Sequence, residues 1–298
     1  MKQSILELES ISQMNKILDV EPPQHPLIYI MDLSKQETPS HLNNVPVLSP
    51  FYVIAMKDAA CGVQYGRNTY DFEEGVLSFF APGQIVTTTE EGNVSNGWML
   101  FFHPDLIRKS PLGKIIDDYH FFSYDLHEAL HLSKNEEGIL NDCIAKIQFE
   151  LNQNIDGHSQ RLLISNIDLL LNYCNRFYER QFHTRSNHHK DIISQIDNII
   201  KIYYKENRQL EIGALSVPYL AEQVNLSPNY LSDLLRKETC RNAKDHIHQH
   251  IIHLAKNKLL NSNDSISEIA FDLGFNYPHY FSRLFKKQTG MTPQTYRT

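Results

Sequence analysis

The sequence predicts an α+β protein of two domains. The N-terminal part reads as a small β-barrel or sandwich with a helical appendix, the C-terminal part as an all-α domain of two helix-turn-helix units joined by a helix. Three observations predict this. Short runs of β-branched and aromatic residues, cut by Gly and Pro turns, fill residues 51–102. Beyond Pro104, apolar residues recur at three- and four-residue spacing. A segment near the C-terminus repeats itself at a fixed offset.

Length and composition agree. A chain of 298 residues accommodates two ordinary domains, and 41% hydrophobic with 21% charged residues is the balance of a soluble globular protein. No apolar run approaches a membrane span, and the first residues lack the apolar core of a secretory signal. The four cysteines (Cys61, Cys143, Cys174, Cys240) form no CxxC pair, which suits reduced thiols and a cytoplasmic protein better than disulfides or a zinc site. Net charge is -7, unevenly spread. Residues 190–298 carry 14 Lys and Arg against 11 Asp and Glu, whereas residues 1–189 carry 14 against 24. A mildly basic domain is thus tethered to an acidic one, compatible with a nucleic-acid partner without requiring one.

In chain order, residues 1–48 are polar and dotted with proline and read as an arm with one strand at 27–31. Strands follow at 51–56, 62–65, 75–80, 84–89 and 97–102, the middle ones divided by the turn Ala81-Pro82-Gly83-Gln84. Trp98, the one tryptophan, with Phe101 and Phe102, is expected in the core. Helices are predicted at 135–152, from Ile139, Leu140, Cys143, Ile144, Ile147 and Leu151, and at 158–182, from Leu162, Leu163, Ile167, Leu170, Leu171, Cys174 and Phe177. These two helices either complete the β core or form a dimer interface. Residues 182–189 have little apolar content and are the best linker candidate. The expected domains are therefore 1–185 and 186–298.

The repeat is the most informative feature. Residues 229–240 align with 279–290 at an offset of 50, with Tyr, Ser, Leu, Lys and Thr identical. Upstream, Leu220-Ala221 aligns with Ile269-Ala270, and Leu226 with Phe275, at an offset of 49. Each copy, about 215–240 and 264–290, reads as helix, tight turn, helix. In the second, Ser265 with Glu268 fits a capping box, and Gly274 supplies the left-handed turn. In the first, Asn225 takes that place and Ser227-Pro228 start the next helix. Ala221 and Ala270 are small where two helices cross. This spacing is a helix-turn-helix signature. One helix at 243–260, about 27 Å long at 1.5 Å per residue, separates the two second helices by a distance close to one turn of B-DNA, about 34 Å.

The C-terminal segment, from about residue 192, resembles the AraC/XylS family of bacterial transcription regulators. The resemblance rests on Ile266-Ser267-Glu268-Ile269-Ala270, Gly274-Phe275, Tyr280-Phe281-Ser282-Arg283, Phe285-Lys286-Lys287, Gly290, Thr292-Pro293 and Tyr296-Arg297. More loosely, the N-terminal part is similar to the cupin-like ligand-sensing domain of many members, with Tyr70-Asp71-Phe72, Gly75, Leu77 and Pro82-Gly83-Gln84 in order. The resemblance implies a sequence-specific regulator that binds a double-stranded DNA operator, responds to a small effector, forms a homodimer and meets RNA polymerase, with no cofactor. It does not separate activator from repressor. Two departures stand out. Cys240 occupies the place of a helix-ending Gly, and Asp233 sits at an exposed position of the first recognition helix where basic or amide residues are common.

Helical geometry turns Leu231, Leu234 and Leu235, and likewise Phe281, Leu284 and Phe285, toward the core. The opposite faces supply the candidate DNA contacts. They are Asn229, Ser232, Asp233, Arg236 and Lys237 in the first copy, and Pro278, His279, Ser282, Arg283, Lys286 and Lys287 in the second. Arg283 suits bidentate contact with guanine and Asn229 suits adenine, while Arg236, Lys286 and Lys287 suit phosphates. Asp233 can accept from cytosine but is repelled by phosphate. The other readings are a cupin-type enzyme or binding protein carrying this domain, and a ligand-independent regulator. An iron or manganese cupin needs a His/Glu ligand set, and residues 51–102 contain no His. His246, His250 and His253 share a helical face with metal-ligand spacing, but the plainer reading is partly exposed polar residues on the connecting helix. No catalytic or metal residues are expected.

Overall fold

The computed structural model describes residues 5–35, 45–57, 75–87, 97–125, 128–154, 156–184 and 186–298. Chain order begins β1 (Leu6–Glu7), α1 (Ile11–Ile17), β2 (Ile28–Asp32), β3 (Pro46–Leu48), β4 (Tyr52–Lys57), β5 (Val76–Phe80), β6 (Ile85–Thr87) and β7 (Gly97–Phe102). Then come α2 (Pro104–Ile107), α3 (Pro111–Ile115), β8 (Leu130–His131), α4 (Lys134–Leu151) and α5 (Ser159–Thr184). The helical remainder is α6 (Ser186–Lys205), α7 (Gln209–Ile212), α8 (Val217–Gln223), α9 (Pro228–Thr239), α10 (Ala243–Asn261), α11 (Ile266–Asp272), α12 (Pro278–Thr289) and α13 (Pro293–Arg297). The protein is thus a mixed α+β chain, with strands in the first part and helix-turn-helix units in the last. It divides into two compact units, Met1–Gln181 and Phe182–Thr298. Among the described residues no helix is long and apolar enough to cross a membrane.

In the first unit the described strands form two open sheets rather than a closed barrel. One has the order β1-β3-β6 and the other β2-β7-β4-β5-β8. The larger sheet is antiparallel throughout, with β7 lying between β2 and β4 and pairing Tyr29↔Phe101 on one side and Val53↔Phe101 on the other. Strand alternation then sorts side chains to two faces. Met31, Val53 and Phe101 join Phe51, Leu33, Ile11 and Met14 in one apolar cluster. On the other face Trp98, buried as expected, donates from Nε1 to Asn141 of α4 at 2.8 Å. There too Phe79 lies 4.3 Å from Phe121 and 6.0 Å from Tyr178 of α5. The two long helices therefore cover the sheet.

Three expectations change. The arm at 1–48 is more structured than its composition indicated, carrying β1, α1, β2 and β3. Ser10 caps α1 by accepting from the Gln13 amide at 3.1 Å, and Ile11 and Met14 anchor it in the core. The linker expected at 182–189 is helical except at Arg185, which lies outside the described residues; Phe182 is buried 5.0 Å from Tyr230. Leu162, placed on the apolar face of its helix, is exposed instead. The strand expected at 62–65 and the Tyr70-Asp71-Phe72 motif fall outside the described residues.

Candidate nucleic-acid interface

The second unit builds the two halves of the interface with the same bonds. In the first half Ser216 caps α8 by accepting from the Tyr219 amide at 3.3 Å. Asn225 takes the left-handed conformation at φ 53°, and the Leu226 amide donates to the Ala221 carbonyl at 3.0 Å. Ser227 then caps α9 through the Tyr230 amide at 3.2 Å. In the second half the Ser265/Glu268 capping box starts α11. Gly274 turns at φ 88°, and Phe275 donates to Ala270, again at 3.0 Å. Ala221 and Ala270 are fully buried, which lets each helix pair cross closely. The correspondence runs past the helices. Thr239 donates to the Leu235 carbonyl at 2.7 Å, and Thr289 to that of Phe285 at 2.8 Å. Cys240 (φ 59°) and Gly290 (φ 80°) both turn left-handed. The Gly expected at position 240 is thus replaced by a residue that adopts the same strained backbone.

The halves differ at the entry to the second helix. Tyr277 holds the N-cap place of α12 with no side-chain bond to the helix, where Ser227 caps α9. They are also fastened to each other. The Ala214 amide donates to the Gly274 carbonyl at 2.9 Å, and Gln209 Nε2 donates to the Asp272 carbonyl at 3.1 Å. A Cβ on Gly274 would lie 2.5 Å from the Ala214 nitrogen. The turn of the second half therefore packs directly on the chain that leads into the first. With α10, whose 19 residues span about 28 Å, this contact fixes how far apart the two recognition helices stand.

The expected contact residues fall on two helices. On α9, Asn229, Arg236 and Lys237 are exposed. Ser232 is half-buried and donates to the Pro228 carbonyl at 2.8 Å. Asp233, expected to be exposed, is half-buried and pairs with Arg236 at 2.9 Å. That carboxylate offsets the charge of its own neighbour, so the first helix presents less positive charge than its sequence indicates. On α12, His279, Arg283, Lys286 and Lys287 are exposed, with Pro278 and Ser282 half-buried beside them. Among the described residues the Arg283 guanidinium has no ion pair or hydrogen bond, which leaves its fork of donors open to a ligand. Behind these faces Leu231, Leu234, Leu235, Phe281 and Phe285 are buried as expected, but Leu284 is only half-buried.

Of the histidines on α10, His246, His248 and His250 are half-buried and His253 is exposed. His246 Nε2 is 2.8 Å from the Thr239 hydroxyl, and its Nδ1 is 4.0 Å from Asp197. The His250 ring lies 5.5 Å from that of Tyr204. Burial holds His246, His248 and His250 below the ordinary imidazole value. Among the described residues no three His, Cys, Asp or Glu side chains are grouped to hold a metal. Sequence reasoning missed Tyr277, Gln209 and the Gly213-Ala214 approach to Gly274. For the last, the Gly at 213 ahead of a Ser cap was a usable signal of a turn.

Two short helix pairs with matched caps, buried alanines at the crossings and exposed second helices define a tandem helix-turn-helix domain of the DNA-binding type. A helix-turn-helix domain family matches residues 220–298. Regulatory protein SoxS of Escherichia coli is 34% identical over 83 residues, which cover 28% of this chain and 78% of SoxS. The uncharacterized HTH-type transcriptional regulator YtdP of Bacillus subtilis is 32% identical over 101 residues, 34% of this chain and 13% of that protein. The solved C-terminal domain of the response regulator yesN from Fusobacterium nucleatum is 30% identical, with a TM-score of 0.32, and the match covers 36% of this chain and 99% of that one. The chain belongs to the AraC/XylS family of transcriptional regulators. It spans 13% to 41% of the length of the Bacillus subtilis relatives it matches.

Proposed function

We propose that this protein is a sequence-specific, DNA-binding transcription regulator in the cytoplasm, a binding protein rather than an enzyme. Residues 186–298 hold a double-stranded operator, with Arg283 reading a base and Lys286, Lys287 and Lys237 meeting phosphates. Residues 1–185 form a cupin-like sensor that binds a small effector and pairs two copies of the chain. An effector acts by favouring one arrangement of the DNA-binding domains, and the DNA-bound form engages RNA polymerase. The observation that carries the reading is the pair of matched helix-turn-helix units, with an exposed Arg283 on the second that has no ion pair among the described residues.

Pairing of two copies is supported by the outer face of α4 and α5. Phe149, 66% exposed, and Leu162, 47% exposed, line a groove of about 470 Å³ together with Asp142, Lys146 and Glu150. Lys146 and Glu150 are one helical turn apart. An antiparallel, two-fold pairing of α4 with its copy therefore sets each Lys146 against the other chain's Glu150 and brings the two Phe149 rings together.

The DNA reading is tested by titrating the protein against duplex DNA over a series of salt concentrations. Binding should weaken steeply with salt, and Lys286→Ala should lower the slope of log K against log salt by about 1. Arg283→Ala should cost about 1–3 kcal/mol on a cognate duplex and relax preference at one base. Salt-independent binding, or unchanged affinity and base preference in the Arg283 variant, would contradict it.

A further inference from the structure

The two recognition helices carry tyrosine at matching positions, and the fold treats the two rings oppositely. Tyr230 is 4% exposed, whereas Tyr280 is 54% exposed and Tyr277, just ahead of α12, is 59% exposed. The rings at this end of α12 stand together. His279 is 4.2 Å from Tyr280 and 5.7 Å from Tyr277, and the two tyrosines are 6.0 Å apart. Rings of this size ordinarily bury their large apolar area in a core, as Tyr230 does. Here they stay on the surface at the entry to the more basic recognition helix. Three residues along α12, hence on the same face as Tyr280, lies Arg283.

We propose that Tyr280, supported by the rings of Tyr277 and His279, reads thymine methyl groups in the major groove and so sets a base preference beside the base that Arg283 contacts. The inference rests on the reading of this domain as a DNA-binding one. The major-groove edges of the base pairs offer hydrogen-bond donors and acceptors and a single kind of apolar group, the C5-methyl of thymine. Against the polar edges an aromatic face displaces water without replacing its hydrogen bonds, which is unfavourable. Against a methyl group it buries apolar area on both sides. The first recognition helix, α9, presents no such ring, because Tyr230 is buried. The thymine preference therefore belongs to the half-site under α12 alone.

The test uses the full chain and the duplex enriched from random-sequence DNA. Wild type, Tyr280→Ala and Tyr280→Phe are titrated at one salt concentration against that duplex. They are titrated again against a copy with uracil in place of thymine in the α12 half-site, which removes only the methyl groups. Wild type should lose about fourfold in affinity for each buried methyl removed. Tyr280→Phe should behave as wild type, and Tyr280→Ala should bind both duplexes equally. Equal losses for the Phe and Ala variants would instead assign the hydroxyl to a phosphate and overturn the proposal. So would an α12 half-site without thymine, a wild type indifferent to uracil, or an Ala variant that still prefers thymine. Those outcomes leave the DNA-binding reading standing. A selection that enriches no sequence removes both.

Discussion

Gly274→Ala tests whether the two helix-turn-helix units are held in register by the contact at the second turn. Two costs follow from the structure. The left-handed φ of 88° costs an alanine about 1–2 kcal/mol. The new Cβ would stand 2.5 Å from the Ala214 nitrogen, so the Gly213-Ala214 backbone must retreat. That breaks the bond from the Ala214 amide to the Gly274 carbonyl, worth about 0.5–1.5 kcal/mol. Against these, alanine narrows the unfolded ensemble by about 0.4–1 kcal/mol. The net destabilisation is about 0.5–3 kcal/mol, a fall of roughly 2–12 °C in melting temperature for a domain of this size. Gly290→Ala is the control, because it shares the left-handed turn at φ 80° and its Cβ would meet nothing within 4 Å. Thermal unfolding followed by far-UV circular dichroism, with titration of the same variants against a cognate duplex, separates the two. Gly274→Ala should melt lower than Gly290→Ala and lose more DNA affinity, since only it disturbs the spacing of α9 and α12. Equal melting and equal binding would refute a role for the Ala214 contact.

Cys240→Gly should stabilise the second unit. Relief of the left-handed strain, about 1–2 kcal/mol, exceeds the entropic cost of glycine, about 0.5–1 kcal/mol; a lower melting temperature would show that the thiol makes an offsetting contact. Acid should weaken the same unit. His246 faces Asp197, Arg241 and Asp245; His248 faces Lys244, Asp245 and Lys287; His250 faces Asp197, Lys201 and His253. With folded values depressed below 6.5, the unfolded chain binds more protons, so stability is present above about pH 6.5 and is lost as pH falls through the folded values. Urea melts between pH 7.5 and 5.5 should show the loss, and His250→Gln should lessen it; a pH-independent midpoint would contradict burial of these rings. Phe149→Glu should convert a dimer to a monomer in sedimentation at micromolar concentration without unfolding, while a variant that stays dimeric would place the interface elsewhere.

What the sequence made legible was local. The helix-turn-helix units could be read because each stop and start has its own residue: Ser265 with Glu268, Gly274, Asn225, and Ser227 with Pro228. The spacing of these residues survives in the structure as near-identical bonds. The strands centred on β4 and β7 were equally plain, since alternation over five or six residues marks both faces of a sheet. The short α1 escaped because its seven residues anchor few side chains and sit in a proline-dotted stretch, although Ser10 followed by Gln13 was a readable start. Long-range relations were invisible. Tyr230 and Tyr280 are the same letter in an aligned repeat, and the burial that separates them comes from residues distant in sequence, among them Phe182 against Tyr230. The Asp233–Arg236 pair was missed as well, although it is local and its three-residue spacing on a helix was a usable signal.

Selection of bound sequences from random duplex DNA, at a stated salt concentration, tests the central claim most directly. Two recognition helices held apart by α10 and by the Ala214–Gly274 contact should enrich two short blocks with centres about 10 base pairs apart on one face of the duplex. Arg283→Ala should blur one position in one block. Failure to enrich any sequence, or enrichment of blocks without fixed spacing, would contradict the account.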